Sequence, residues 1–207
     1  MGVLMASEYD PIRQTIDDPL AEDGLERVRD LFEEASRPFL SQPWSWLAWS
    51  LVLPSTALAT TPVLEATGGL GVMFLWSVAV LLGGAIEAFQ ILRARRRGGV
   101  VSSSLASWVL RAQGNLSLVA VVVSVALLMQ GLAWLLPGIW LLLLGHSLFS
   151  LGGLAAGSLR TGGLIYQFGG LLAIWPHGQG LEIFALATFA GNLWIGWSIW
   201  RAGSANR

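Results

Sequence analysis

The chain contains no cysteine and no lysine, and it is poor in charge of either sign. Only 12% of its 207 residues are charged, against roughly 25% in an ordinary soluble domain. Without cysteine there is no disulfide framework and no thiolate metal site. Without lysine there is no Schiff base to retinal or pyridoxal phosphate, because that bond needs a lysine amine. We therefore expect no cofactor.

Catalytic side chains are equally scarce in the apolar part of the chain. No aspartate follows Asp30, so an intramembrane aspartate pair for phosphotransfer or proteolysis is excluded. Of the two histidines, His146 lies within an apolar run and His177 in the outer loop "WPHGQG", so no bis-histidine haem site or zinc site is feasible. A serine protease in a membrane needs its serine and histidine on facing helices, whereas Ser147 and Ser150 share a helix with His146. The sequence therefore predicts no metal site and no catalytic set.

Long apolar runs dominate what is present, since 54% of the residues are hydrophobic. A bilayer core about 30 Å thick needs roughly 20 apolar residues per helix. Six runs approach this length: 43–61, 69–92, 114–135, 138–157, 162–176 and 181–200. Pro62 and Gly68 mark the first break, and several connections are so short that consecutive helices must be antiparallel neighbours. We therefore predict an all-α membrane protein whose domain, residues 41–201, contains six transmembrane helices as antiparallel hairpins.

Arginines indicate the orientation of these helices. Four follow the second run: Arg93, Arg95, Arg96 and Arg97. An excess of arginine in short loops lies on the cytoplasmic side, which places both termini there, including the tail at 202–207. The connections near 62–68, 136–138 and 176–180 contain no arginine, in agreement with an outer location. We interpret the run as a topology anchor that contacts anionic lipid headgroups, and not as a nucleic-acid site.

The first forty residues form a separate, acidic region, with ten of the thirteen acids of the chain. Within it, "DGLERVRDLFEEASRPF" places Leu25, Val28 and Phe32 on one face of a helix over about 24–37. An acidic helix is repelled by an anionic inner leaflet. We therefore expect the apolar face to contact a cytoplasmic protein partner or a second copy of the chain.

Polar residues inside hydrocarbon are candidates for function, because their burial there costs free energy. The candidate intramembrane site consists of His146, Asn192, Glu87 and Thr188. Each has a structural alternative: Glu87 pairs with the arginine run, and His146 is a packed neutral imidazole and not a proton relay. Thr188 and Asn192 have the spacing of interhelical hydrogen bonders. A small-residue packing seam is predicted at Gly153 and Gly157, and another at Gly84.

The stretches "LLPGIWLLLLGHSLFSLGG" and "GGLLAIWP" resemble small bacterial integral membrane proteins of the six-helix, helical-hairpin type. The resemblance covers roughly residues 130–200, and the hairpin architecture is also similar to that of the six-helix acid-stress membrane family. It implies a helical-hairpin fold in the bacterial cytoplasmic membrane. It implies no catalytic residue.

Three functions remain as hypotheses. The first is a regulatory, sensory or assembly role exerted through the cytoplasmic N-terminal helix. The second is a small transporter or channel that acts as an oligomer, with Glu87, His146 and Asn192 along its path. The third, a lipid-modifying enzyme with His146 as its base, is the weakest because no second buried acid is available.

Overall fold

The computed structural model describes residues 43–96, 104–152, 157–175 and 178–205, together with Gly24 and Arg27. Every regular element in these ranges is helical, which confirms the predicted all-α class. The helices are α1 (Pro43–Arg96), α2 (Ser104–Met129), α3 (Leu136–Gly152), α4 (Gly157–Ile174) and α5 (Gly180–Ala205), with a 3-10 turn at Ala133–Leu135 before α3.

The predicted amphipathic helix over 24–37 lies almost wholly outside the described residues. Gly24 and Arg27 are helical and exposed. Leu25, Val28 and Phe32 are outside the described part of the chain, so their common face stays a prediction.

Helix α1 is a hairpin of two limbs, residues 43–67 and 69–96, joined at Gly68. Gly68 has φ 71° and ψ −168°, a backbone conformation that glycine adopts without the penalty of a β-carbon. The Trp49 indole Nε1 donates to Glu87 at 2.9 Å, and the Trp76 Nε1 donates to Thr60 at 3.1 Å. Both pairs are symmetrical about Gly68, so the limbs run antiparallel.

Several predicted element ends differ from the observed helix ends: α3 ends at Gly152 and not at 157, and α4 begins at Gly157 and not at 162. Pro62 lies inside α1, as does Pro54, because a helix in an apolar bundle tolerates proline when its surroundings satisfy the freed backbone groups. Helix α2 begins at Ser104 and stops before Gly131, whose φ of 71° ends the helix. Helix α5 continues to Ala205.

Glycines bring α3 and α4 into backbone contact. Gly145 faces α4 so closely that a β-carbon there would lie 2.8 Å from the Gly163 carbonyl oxygen. About two turns earlier in α3, a β-carbon at Gly138 would lie 2.9 Å from the Gly170 carbonyl oxygen. The seam is therefore formed by glycines seven residues apart on each helix. Gly84 and Gly157 have no atom within 4 Å of the position of a β-carbon and take no part in a helix contact.

The remaining helices pack in an antiparallel order. Helix α5 lies against α4, where Gly169 faces Ala187, and against the first limb of α1, where a β-carbon at Gly196 would lie 3.3 Å from the Leu47 side chain. Helix α2 joins α3 through two side-chain hydrogen bonds, from Gln113 to Ser147 and from Trp140 to Ser124. The buried core lies between α1, α3, α4 and α5, and α2 is at the periphery.

The antiparallel order places the charges of the bundle at its two ends. One end carries the five described arginines of the helices α1 to α5, namely Arg93, Arg96, Arg111, Arg160 and Arg201, and the other carries Glu65 and Glu182. Four described helices are long and apolar enough to cross a membrane, and they contain Pro43–Gln90, Arg111–Met129, Ala133–Gly152 and Gly180–Ala202. These features are typical of a multi-pass membrane protein.

Candidate functional site

The most enclosed polar groups of the bundle lie where α4 meets α5. We name Tyr166, Thr188 and Asn192 the core polar cluster. Tyr166 and Asn192 are each 2% exposed and Thr188 is 0% exposed. Thr188 and Asn192 are one turn apart on α5, and the Tyr166 ring of α4 packs over Gly191, where a β-carbon would overlap the ring.

Hydrogen bonds satisfy Thr188 fully but leave Asn192 incomplete within the core polar cluster. The Thr188 hydroxyl donates to the backbone carbonyl of Phe184 at 2.8 Å, within its own helix. The Tyr166 phenol of α4 lies close to the Asn192 carboxamide of α5. The Nδ2 of Asn192 is buried without a hydrogen-bond partner. An unpaired buried donor costs about 1–3 kcal/mol, so Asn192 is the least satisfied position of the cluster.

The chemistry available to this cluster is hydrogen bonding. Threonine and asparagine do not titrate, and a phenol remains protonated at neutral pH. The three groups can therefore fix the register of two helices, or hold a neutral polar ligand, without moving a proton. Of the sequence-predicted site residues, the structure brings together Thr188 and Asn192 alone.

His146 lies on a different surface from the core polar cluster. Its neighbours in sequence point to other helices: Gly145 packs on α4, and Ser147 accepts a hydrogen bond from Gln113 of α2. His146 itself is exposed between these two directions. It therefore faces the surroundings of the bundle and shares no space with Asn192.

Glu87 is also exposed, on the second limb of α1, and its carboxylate accepts the indole N–H of Trp49. Gly83 makes this possible, because the Trp49 ring occupies the position that a β-carbon of residue 83 would take. The described partner of Glu87 is thus a tryptophan on the facing limb. Glu87 and His146 therefore lie on separate outer surfaces of the chain, and Asn192 is enclosed between helices.

The predicted headgroup anchor is described in part. Arg93 and Arg96 are exposed near the end of α1. The side chain of Arg95 and the whole of Arg97 lie outside the described residues. Because Arg93 and Arg96 are exposed, their side chains are available to contact the surroundings at that end of the bundle.

Sequence reasoning missed the tryptophans that act as hydrogen-bond donors between helices. Trp49, Trp76 and Trp140 each donate an indole N–H to a polar side chain on a facing helix or limb. Buried indoles ordinarily need such a partner. The symmetry of polar and tryptophan positions about Gly68 is a signal in the sequence that could have indicated two of these pairs.

An open apolar groove of about 300 Å³ separates the two limbs of α1. Leu51, Val52 and Thr56 line one side, and Leu75, Val78 and Leu82 line the other. The Thr56 hydroxyl donates to the Val52 carbonyl oxygen at 2.7 Å, so it offers the groove little polar character. The groove suits apolar contact, because Ser55 and Thr56 are the two polar side chains among its described lining residues.

Within the described ranges, no three histidine, aspartate or glutamate side chains come together as a metal site. Comparison of the chain with protein-family models, with curated proteins and with solved structures found no match.

Proposed function

We propose that this chain is an integral membrane protein with a regulatory, sensory or assembly role, exerted by contact between its cytoplasmic N-terminal segment and another protein. One observation supports this most directly. The core polar cluster is enclosed and does not titrate at neutral pH, whereas His146 and Glu87 lie on outer surfaces of different helices. Polar groups arranged in this way serve helix association better than they serve proton or ion movement.

We infer that the bundle crosses the membrane six times. The apolar stretch Pro43–Gln90 has 48 residues, about twice the length that one crossing needs, and it bends back at Gly68. Helix α4 has 18 residues and is therefore about 27 Å long. Because α4 packs along both α3 and α5, it crosses with them. Two limbs of α1 and helices α2 to α5 then account for six spans.

The arginine-bearing end of the bundle is assigned to the cytoplasm, in the bacterial cytoplasmic membrane. The charge asymmetry supports this, because arginine accumulates on the inner side of membrane proteins and five described arginines share one end. Both chain termini then face the cytoplasm, and the turn at Gly68 faces outward.

Single cysteines test this orientation cleanly, since the chain has none of its own. We expect a membrane-impermeant maleimide added to intact cells to label Glu65→Cys at the Gly68 turn. Arg96→Cys and Asp10→Cys should react only after permeabilisation. Glu65 and Arg96 are both exposed in α1, so they differ chiefly in the end at which they lie. Labelling of position 96 but not position 65 in intact cells would reverse the assignment.

Deletion of residues 1–40 tests the proposed role. We expect the shortened chain to remain in the membrane fraction but to lose its protein crosslinks, because Leu25, Val28 and Phe32 provide the apolar docking face. Phe32→Ser should weaken the same crosslinks, whereas Glu33→Ser, on the polar side of the predicted helix, should leave them unchanged. Crosslinking in membranes followed by affinity purification measures both. A deleted chain that keeps every partner contradicts the proposal.

A further inference from the structure

We propose that the outer face of the α3–α4 hairpin, which carries His146, Ser150 and Gln167, binds the same face of a second copy of this chain within the membrane. This rests on the proposed membrane location but not on the role of the N-terminal segment. We name these three residues the polar strip.

The polar strip lies on one exposed side of the hairpin. On α3, Gly145 faces α4 and Trp140 and Ser147 face α2. His146 and Ser150 lie between these directions, one turn apart, and both are exposed. The strip therefore follows the side of α3 that neither neighbouring helix covers.

Gln167 extends the strip across to α4. A β-carbon at Gly145 would lie 2.8 Å from the Gln167 backbone nitrogen and 2.9 Å from its Cγ. The Gln167 side chain thus lies against α3 at Gly145, next to His146. The absence of a side chain at residue 145 leaves the space for it. Among the described residues, no hydrogen bond joins His146 or Gln167 to another side chain.

Membrane depth argues that the missing partner is protein. Gln167 follows the start of α4 by ten residues and precedes its end by seven, distances of about 15 Å and 10 Å along the helix axis. Lipid headgroups at either surface do not reach that level, and hydrocarbon offers no hydrogen bond. An imidazole and an amide facing lipid would stay unsatisfied, which is costly.

A second copy satisfies the strip by its own chemistry. A neutral imidazole and a carboxamide each contain both a donor and an acceptor. Two identical strips related by a two-fold axis can therefore pair without any other group, as an isologous interface requires. The strip contains no arginine, aspartate or glutamate, so the pairing does not bring permanently charged side chains of the two copies together. Arg160 lies beyond it, with its guanidinium 4.8 Å from the centre of the Phe149 ring.

Disulfide trapping in native membranes tests the surface. We expect at least one of Ile139→Cys, Leu143→Cys and Ser150→Cys, which lie at helical spacing on the side of α3 that carries His146, to form a dimer under mild oxidation. Ser77→Cys on α1 and Ser117→Cys on α2 are matched controls, because both serines are exposed, and they should remain monomeric. The shortened chain lacking residues 1–40 should crosslink equally well, which separates this proposal from the N-terminal role.

A second set of variants tests the hydrogen bonds themselves. In the cysteine variant that crosslinks best, His146→Leu and Gln167→Leu should each lower the dimer fraction by roughly threefold, the effect of one interhelical hydrogen bond. Thr161→Leu, at an exposed threonine of α4, should leave it unchanged. The proposal is overturned if none of the three α3 positions crosslinks, if the control serines crosslink as well, or if neither leucine variant has an effect.

Discussion

Replacement of Gly145 with alanine is expected to destabilise the folded bundle by about 3 kcal/mol, at the upper end of the usual cost of overpacking a core. The new β-carbon would lie 2.8 Å from both the Gly163 carbonyl oxygen and the Gln167 backbone nitrogen. Neither of these backbone atoms can turn away as a side chain would. The two helices must therefore separate, and the Gly138–Gly170 contact in the same seam separates with them.

The matched control for this change is Gly114→Ala on α2. Gly114 is also a glycine inside a helix, but nothing lies within 4 Å of the position of its β-carbon. Alanine there should be neutral or slightly stabilising, because alanine favours a helix over glycine by about 1 kcal/mol. Denaturant titration of both proteins in the same detergent measures the difference. Equal stability of the two variants would show that α3 and α4 do not meet along the glycine seam.

Conversion of Asn192 to aspartate is expected to cost several kcal/mol and to reduce the yield of folded protein sharply. Asn192 is 2% exposed, and a buried charge without a partner carries a penalty of that order. Tyr166, Thr188 and Gly191 surround this position and provide no positive charge. The side chain is almost the same size in both proteins, so the effect isolates charge from shape.

Asn115→Asp provides the comparison for this second change. Asn115 is exposed on α2 and lies four residues after Arg111, a spacing at which opposite charges pair along a helix. We expect little loss of stability there. Thermal unfolding followed by size-exclusion chromatography in detergent compares the two variants. If Asn192→Asp is as stable as Asn115→Asp, the core polar cluster is accessible to water and its enclosed character is wrong.

The core polar cluster and the polar strip have different consequences for how this protein works. The core polar cluster holds α4 and α5 in one register within a single chain, so its variants should affect folding. The polar strip lies on the outer side of the α3–α4 hairpin, with His146 and Ser150 exposed and Gln167 half-buried, so its variants should affect the contact between copies and leave the single chain intact. Measurement of stability and of crosslinking on the same variants therefore separates the two roles.

Much of the architecture follows from the sequence. Apolar runs of membrane length predict helices, since in hydrocarbon the backbone must satisfy its own hydrogen bonds. The turn at Gly68 follows from the glycines there, and short connections require antiparallel neighbours. The arginines on alternate connections predict that they share one end of the bundle, and the described ones do. These features depend on local chain properties and on order along the chain.

The sequence did not show which side of each helix faces a neighbouring helix. In a soluble protein the polar side of a helix marks the surface, but a helix that is apolar all round gives no such mark. The choice of Gly138 and Gly145 for the α3–α4 seam, in place of Gly157, depends on which backbones approach, and Gly153 lies outside the described residues. The pairing of Glu87 with Trp49 depends likewise on the facing limb.

The sequence by itself therefore determined that the chain is helical, that consecutive helices run in opposite directions, and that its arginines gather at one end. Only the tertiary structure decided that Asn192 is enclosed beside Tyr166 while His146 faces outward. The physical reason is that rotation of an apolar helix about its axis changes little free energy until a neighbouring helix fixes it. Close glycine contacts and a few interhelical hydrogen bonds then select one rotation.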